Sequence, residues 1–138
     1  MATSVKLTSF PPNTTIYVQS LANAALTQTV TIAPPSGTSA VFSGSGEGNV
    51  SMKLTAQGFL SPGSTGGQPF FKTGSGSSAY TVTIKSSNGA ENVQYSQSTS
   101  SWSSGATANV LMVVGEDATD QDFNDAVVLF TWFTPAQS

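Results

Sequence analysis

Short apolar or alternating runs, each closed off by a cluster of Gly, Pro, Ser or Asn, recur along the whole chain, and this rhythm restricts the fold more than any other feature. The runs fall at residues 6–10, 15–21, 27–33, 40–43, 50–56, 69–72, 79–86, 92–97, 108–114 and 126–133. Between them lie Pro11-Pro12-Asn13, Pro34-Pro35-Ser36-Gly37, Asn88-Gly89 and the stretches 44–48, 61–67, 74–78 and 98–105. Runs of this length, punctuated by turn residues, are what strands of an all-β sandwich or barrel require. The Ser/Gly-rich stretches 61–67 and 98–105 are too short to tether separate domains and read as surface loops. Thr, Ser, Val and Gly dominate while Glu, Lys, Arg and Leu are scarce, so helix has little support. With 138 residues, 38% of them hydrophobic, residues 1–138 are expected to form a single domain around one core.

Absences remove several chemistries. The chain has no histidine and no cysteine, so Ser-His-Asp and Cys-His catalysis, thiolate or imidazole zinc sites and disulfides are excluded. It has no arginine, and its basic side chains are Lys6, Lys53, Lys72 and Lys85. Four scattered lysines in a chain of net charge −3 do not make a nucleic-acid footprint, which needs clustered cations to replace phosphate counterions. No apolar run approaches the roughly 20 residues that span a bilayer. The start, Met1-Ala2-Thr3-Ser4-Val5-Lys6, lacks the basic-then-apolar build of a secretory signal. Cytoplasmic synthesis is expected, with export by a signal-independent route as the alternative. The sequons at Asn13 and Asn49 then read as chance matches.

The negative charge is concentrated. Of seven carboxylates, Glu116, Asp117, Asp120, Asp122 and Asp125 fall in one stretch, leaving only Glu47 and Glu91 elsewhere. The runs on either side, 110–114 and 126–133, are the most apolar and β-branched in the chain and read as central strands. The acidic segment is therefore a connection pinned at both ends. At about 5 Å and an effective dielectric near 20, each pair of these charges repels by on the order of 3 kcal/mol. No lysine adjoins them in sequence. A bound cation resolves the repulsion, and hard oxygen ligands from Glu116, Asp120, Asp122, Asn124 and Asp125 favour calcium, which accepts six to eight oxygens in flexible geometry. Five carboxylates exceed what one divalent ion needs, so two neighbouring ions are expected. The spacing Asp120-x-Asp122-x-Asn124 imitates an EF-hand loop, but Asp125 stands where glycine is required, Thr131 where glutamate is required, and the flanks are strands. A merely solvated acidic loop, or calcium held only for stability, are the plainer alternatives.

The stretch Gly115-Glu116-Asp117-Ala118-Thr119-Asp120-Gln121-Asp122-Phe123-Asn124-Asp125-Ala126-Val127-Val128, with Trp132 beyond it, closely resembles the signature of the two-calcium fucose/mannose-binding bacterial lectins, the fucose-binding lectin II family. A second match lies in Phe10-Pro11-Pro12-Asn13-Thr14 and in Leu21-Ala22-Asn23-Ala24-Ala25-Leu26-Thr27-Gln28-Thr29-Val30, and Val41-Phe42-Ser43-Gly44 extends it weakly. Residues 51–104 carry no comparable motif. The resemblance implies a nine-stranded antiparallel β-sandwich holding two adjacent calcium ions. It implies that Glu116, Asp120, Asp122 and Asp125 ligate one ion and Asn23, Asp122, Asn124 and Asp125 the other, with Asp122 and Asp125 bridging. Sugar hydroxyls complete the coordination, Asp117 accepts a hydrogen bond from the sugar, and Ala24, Ala25 and Leu26 tune monosaccharide preference, Ala24 leaning towards mannose. Mannose- or fucose-containing glycans are the implied partners, and a homodimer or homotetramer the implied assembly. One departure stands out: the family's terminal position, whose carboxylate serves a neighbour's calcium, falls at Pro135, three residues before Ser138.

Three functions follow in order. A sugar-binding module, with no enzymatic activity, comes first. A glycosidase using a pair such as Glu116 and Asp120 comes second, against which stands the crowding of every acid into one loop that metal would keep ionised. A calcium-stiffened structural module that binds no sugar is the third.

Overall fold

The computed structural model of the chain describes residues 2–76, 78–117 and 124–135. It is all-β and antiparallel. In chain order the strands are β1 (Ser4–Leu7), β2 (Thr15–Ala33), β3 (Ala40–Ser51), β4 (Lys53–Ala56), β5 (Phe70–Lys72), β6 (Tyr80–Ser86), β7 (Gly89–Ala90), β8 (Asn92–Ser101), β9 (Thr107–Glu116) and β10 (Ala126–Thr134). Ten strands occur among the described residues where the resemblance implies nine, two of them only three and two residues long. Among the described residues no helix is long and apolar enough to cross a membrane.

The organising element is β2. Its N-terminal half pairs with β10 on one edge and β5 on the other, and its C-terminal half pairs with β6 and β3. One half thus belongs to a layer ordered β5-β2-β10-β9-β8, the other to a layer ordered β1-β6-β2-β3-β4, with β7 beside β6. A single hydrogen-bonded ladder folds over into two layers. Inward residues of both layers fill the space between: Ile16, Val18, Leu111, Val113, Val128 and Phe130 from one, Val30, Ile32, Val82 and Ile84 from the other, all fully buried. Burial alternates along β10, with Ala126, Val128, Phe130 and Trp132 inward, as the period of two demands. At one end the Phe71 and Tyr80 rings pack at 4.8 Å, tilted by 40°, and Phe10 packs edge-on to Phe71, Tyr80 and Trp132.

Several boundaries differ from the sequence expectation, and the stretch 44–48, expected as a turn, lies inside β3. The runs 15–21 and 27–33 form one 19-residue strand, because the intervening Ala22-Asn23-Ala24-Ala25-Leu26 continues the ladder through register shifts between Ala22 and Ala24 and between Ala24 and Gln28. Such bulges bend a strand without ending it, and here they carry β2 from one layer to the other. The Ser-rich stretch expected as a loop is strand as far as Ser101, since Ser98 to Ser101 find partners in Val110 to Thr107. A partner strand overrides weak intrinsic preference.

Candidate metal centre

The acidic segment joins β9 to β10 at one end of the first layer, and the ladder decides which acids converge. Asn92 of β8 is paired with Glu116 of β9, Gly115 with Ala126 of β10, and Ala126 with Ala22 of β2. Residues 92, 116, 125 and 23 therefore lie in a row across β8, β9, the start of β10 and the bulged middle of β2, with Glu91 one position further along. Glu116 closes β9 and is 3% exposed, an unusual burial for a carboxylate. The Asp117 backbone N–H donates to Asp125 Oδ2 at 3.0 Å, and the Asn23 N–H donates to the Asp125 carbonyl at 2.9 Å. Ligand oxygens of Glu116, Asp117 and Asp125 all lie within 4.8 Å of one another.

That spacing suits a hard cation. Calcium–oxygen distances are about 2.3–2.6 Å, so two oxygens on the same ion are at most about 5 Å apart. Burial pushes the Asp125 carboxyl above its usual range and the Asp117 charge pushes it further, while hydrogen bonds to the Glu116 side chain and the Asp117 N–H act against the rise. The donor set, all carboxylate or amide oxygen, fits calcium rather than a softer metal.

Asn23 sits where β2 bulges. Its Oδ1 accepts from the N–H groups of Gly48 (3.1 Å) and Asn49 (2.7 Å), and its Nδ2 donates to Asn49 Oδ1 (2.7 Å). The end of β3 can wrap round this side chain because Gly48 and Asn49 hold positive φ, 95° and 57°, a region open to glycine and tolerated by asparagine. The side chain thus ties the β2 bulge to β3. Of the neighbouring residues, Ala24 is buried at 8% exposure, whereas Ala25 and Leu26 are exposed at the rim. Asn124 is exposed and immediately precedes Asp125. Asp120 and Asp122 lie outside the described residues. Two clefts of about 340 and 440 Å³ occur elsewhere, one along Tyr17 and Phe70, the other along Phe59, Lys72 and Tyr80. Among the described residues, the acidic site is a convergence of the end of β9, the start of β10 and the bulge of β2.

One acidic residue at this end went unassigned in the sequence reading. Glu91, just ahead of β8, is fully buried, and neither carboxyl oxygen has a hydrogen-bond partner among the described residues. Its backbone N–H donates to the Ile84 carbonyl at 3.0 Å. Burial first, then the charges of Asp117, Asp125 and Glu116, push its carboxyl up to about 8. In sequence it stands alone after an Asn-Gly turn, which reads as solvated surface. The available signal was Gly115, a glycine at the end of the most apolar strand, which leaves room for something to approach.

The model of the Fucose-binding lectin II (PA-IIL) family matches residues 8–134. Among solved structures, the chain is similar to a Chromobacterium violaceum lectin in complex with alpha-methyl-fucoside, with 26% identity, a TM-score of 0.65, and coverage of 92% of this chain and 94% of that one. It is similar also to a Ralstonia solanacearum high-affinity mannose-binding lectin, with 25% identity, the same TM-score and the same coverage. The C-terminal domain of a Burkholderia cenocepacia lectin shares the fold at 19% identity, a TM-score of 0.58, and coverage of 92% and 93%. No curated protein sequence matches.

Proposed function

The chain belongs to the Fucose-binding lectin II family, and from that membership we propose that it binds fucose- or mannose-type sugars through calcium held at the β9–β10 connection. The observation that carries this reading is the convergence of Glu116, Asp117 and Asp125 oxygens within 4.8 Å, at the place where the lectin signature falls. A bound cation there supplies coordination positions that sugar hydroxyls can fill. Asp120, Asp122 and Asn124 complete the proposed ligand set with Glu116, Asp125 and Asn23, two ions per site. Because the Asn23 side-chain oxygen already accepts two backbone N–H bonds, its main-chain carbonyl is the better ligand. Asp117 is assigned to a sugar hydroxyl, and its place in the oxygen trio lets it serve the cation as well.

The energetics favour this division of labour. A sugar hydroxyl that exchanges water for a neutral protein group gains only about 0.5–1.5 kcal/mol. Charge-assisted bonds to carboxylates are roughly twice as strong. Exposed Ala25 and Leu26 flank the site and offer apolar contact to the sugar, while buried Ala24 acts through its size. Binding rather than catalysis is the reading we adopt. The acids crowd into one connection, where a bound cation would keep them ionised and leave no protonated carboxyl to serve as the general acid of a glycosidase.

We also propose self-association as a dimer or tetramer. On the outer face of the first layer, Leu21, Val127 and Val114 form one row and Gln19, Leu129 and Met112 the next. Met112 and Phe133 are 39% and 41% exposed. A contiguous apolar face of this kind is typical of an interface.

Isothermal titration with methyl α-fucoside and methyl α-mannoside tests the function. Heat of binding is expected in calcium and none in EDTA. Folded, calcium-loaded protein that gives no heat with either glycoside refutes the reading.

A further inference from the structure

The proposed ligands all lie at the end of β9, in the β9–β10 connection or in β2, yet a further acidic group sits behind them. Glu91 has 0% exposure, and both oxygens lack a hydrogen-bond partner among the described residues. A buried polar group left in this state costs about 1–3 kcal/mol, more when it can carry charge. A space-filling role would be met at lower cost by leucine or methionine. The packing shows a place made for this carboxyl: a Cβ built on Gly115 would stand 2.6 Å from Glu91 Oε1 and 3.0 Å from Ile84 Cδ1. Gly115 directly precedes Glu116, and Asn92 is the ladder partner of Glu116. The side chain thus lies on the protein side of the acid trio, within electrostatic reach of Asp117, Asp125 and Glu116. The charges that act on it, those of Asp117, Asp125 and Glu116, are all negative. Nothing among the described residues answers its charge.

We propose that Glu91 is a positioning residue of the cation site, a buried carboxyl under Gly115 that backs Glu116 and Asp125 and finds its counter-charge only in the bound metal. It rests on the calcium reading above and adds to it a residue from outside the signature. Its carboxyl is not in the oxygen trio that can touch one ion, so its action is through field and through the placement of Glu116, as outer-shell carboxylates act at other metal sites.

Direct cation binding tests it, without sugar. Calcium affinity is measured by titration calorimetry and terbium affinity by luminescence on the full chain. Glu91→Gln, which keeps shape and removes charge, should weaken calcium at least tenfold. It should weaken terbium by a larger factor, since a lost negative charge matters in proportion to the charge of the ion. A merely structural role would leave the terbium-to-calcium ratio unchanged. Gly115→Ala should displace the Glu91 carboxyl and weaken calcium in the wild-type background, with a clearly smaller effect in Glu91→Gln. Unchanged calcium affinity and an unchanged ratio in Glu91→Gln overturn the proposal while leaving the calcium reading intact. A wild-type chain that takes up no calcium overturns both. Should Glu91→Gln not fold, Gly115→Ala with unaltered calcium affinity overturns the proposal by itself.

Discussion

Stripped of calcium, the protein should lose stability as pH rises, and Glu91 should be the main reason. The Glu91 carboxyl ordinarily titrates at 4.5, and in the fold it is pushed up to about 8 by burial and by Asp117, Asp125 and Glu116. Between those values the folded chain keeps a proton that the unfolded chain has released, so unfolding becomes easier with each step in pH. At about 1.4 kcal/mol per pH unit, the interval amounts to on the order of 5 kcal/mol. The contribution is fully present below pH 4.5 and lost above pH 8. The raised Asp125 carboxyl acts in the same direction. Since small domains are stable by only about 5–15 kcal/mol, this is a large fraction of the total. For a chain of 138 residues, about 3 °C per kcal/mol translates the roughly 4 kcal/mol lost between pH 5 and pH 9 into a fall in Tm of roughly 12 °C. The assay is calorimetry in EDTA across that range, on wild type and Glu91→Gln. The variant should show a much flatter profile, and added calcium should flatten the wild-type one. A wild-type Tm that holds within about 3 °C from pH 5 to pH 9, or a variant that falls in parallel with it, would refute the reasoning.

Two other outcomes are expected. Asp122→Ala, which removes the carboxylate proposed to bridge both ions, should abolish sugar binding by calorimetry, with calcium affinity reduced at least tenfold; retained sugar affinity would show the ligand assignment to be wrong. Leu129→Lys puts a charge on the half-buried outer face between Gln19 and Met112 and should reduce the assembly to monomers in light scattering, with less than about 1 kcal/mol lost from the monomer; an unchanged mass would move the interface elsewhere.

Much of this protein is legible in its order of residues. The alternation in Ala126, Val128, Phe130 and Trp132 declares a strand with one buried face, and the turn clusters declare its neighbours, because period and turn chemistry are local properties. The concentration of Glu116, Asp117, Asp120, Asp122 and Asp125 between two apolar runs points to a cation by charge alone. What stays hidden there is anything set by a partner far along the chain. Residues 15–21 and 27–33 read as separate runs, but β3, β6 and β10 supply the hydrogen bonds that make them one bulged strand. Ser98 to Ser101 read as loop, and β9 makes them strand. Asn23 shows no sign in sequence of gripping Asn49, twenty-six positions away. Glu91 is the sharpest case. Its surroundings in sequence are polar and turn-like, and only the stacking of β8 beside β9, over Ile84, encloses it. Charge content and periodicity are additive along a chain and can be read off it. Burial, and the electrostatics that burial creates, exist only once distant strands have closed around a side chain.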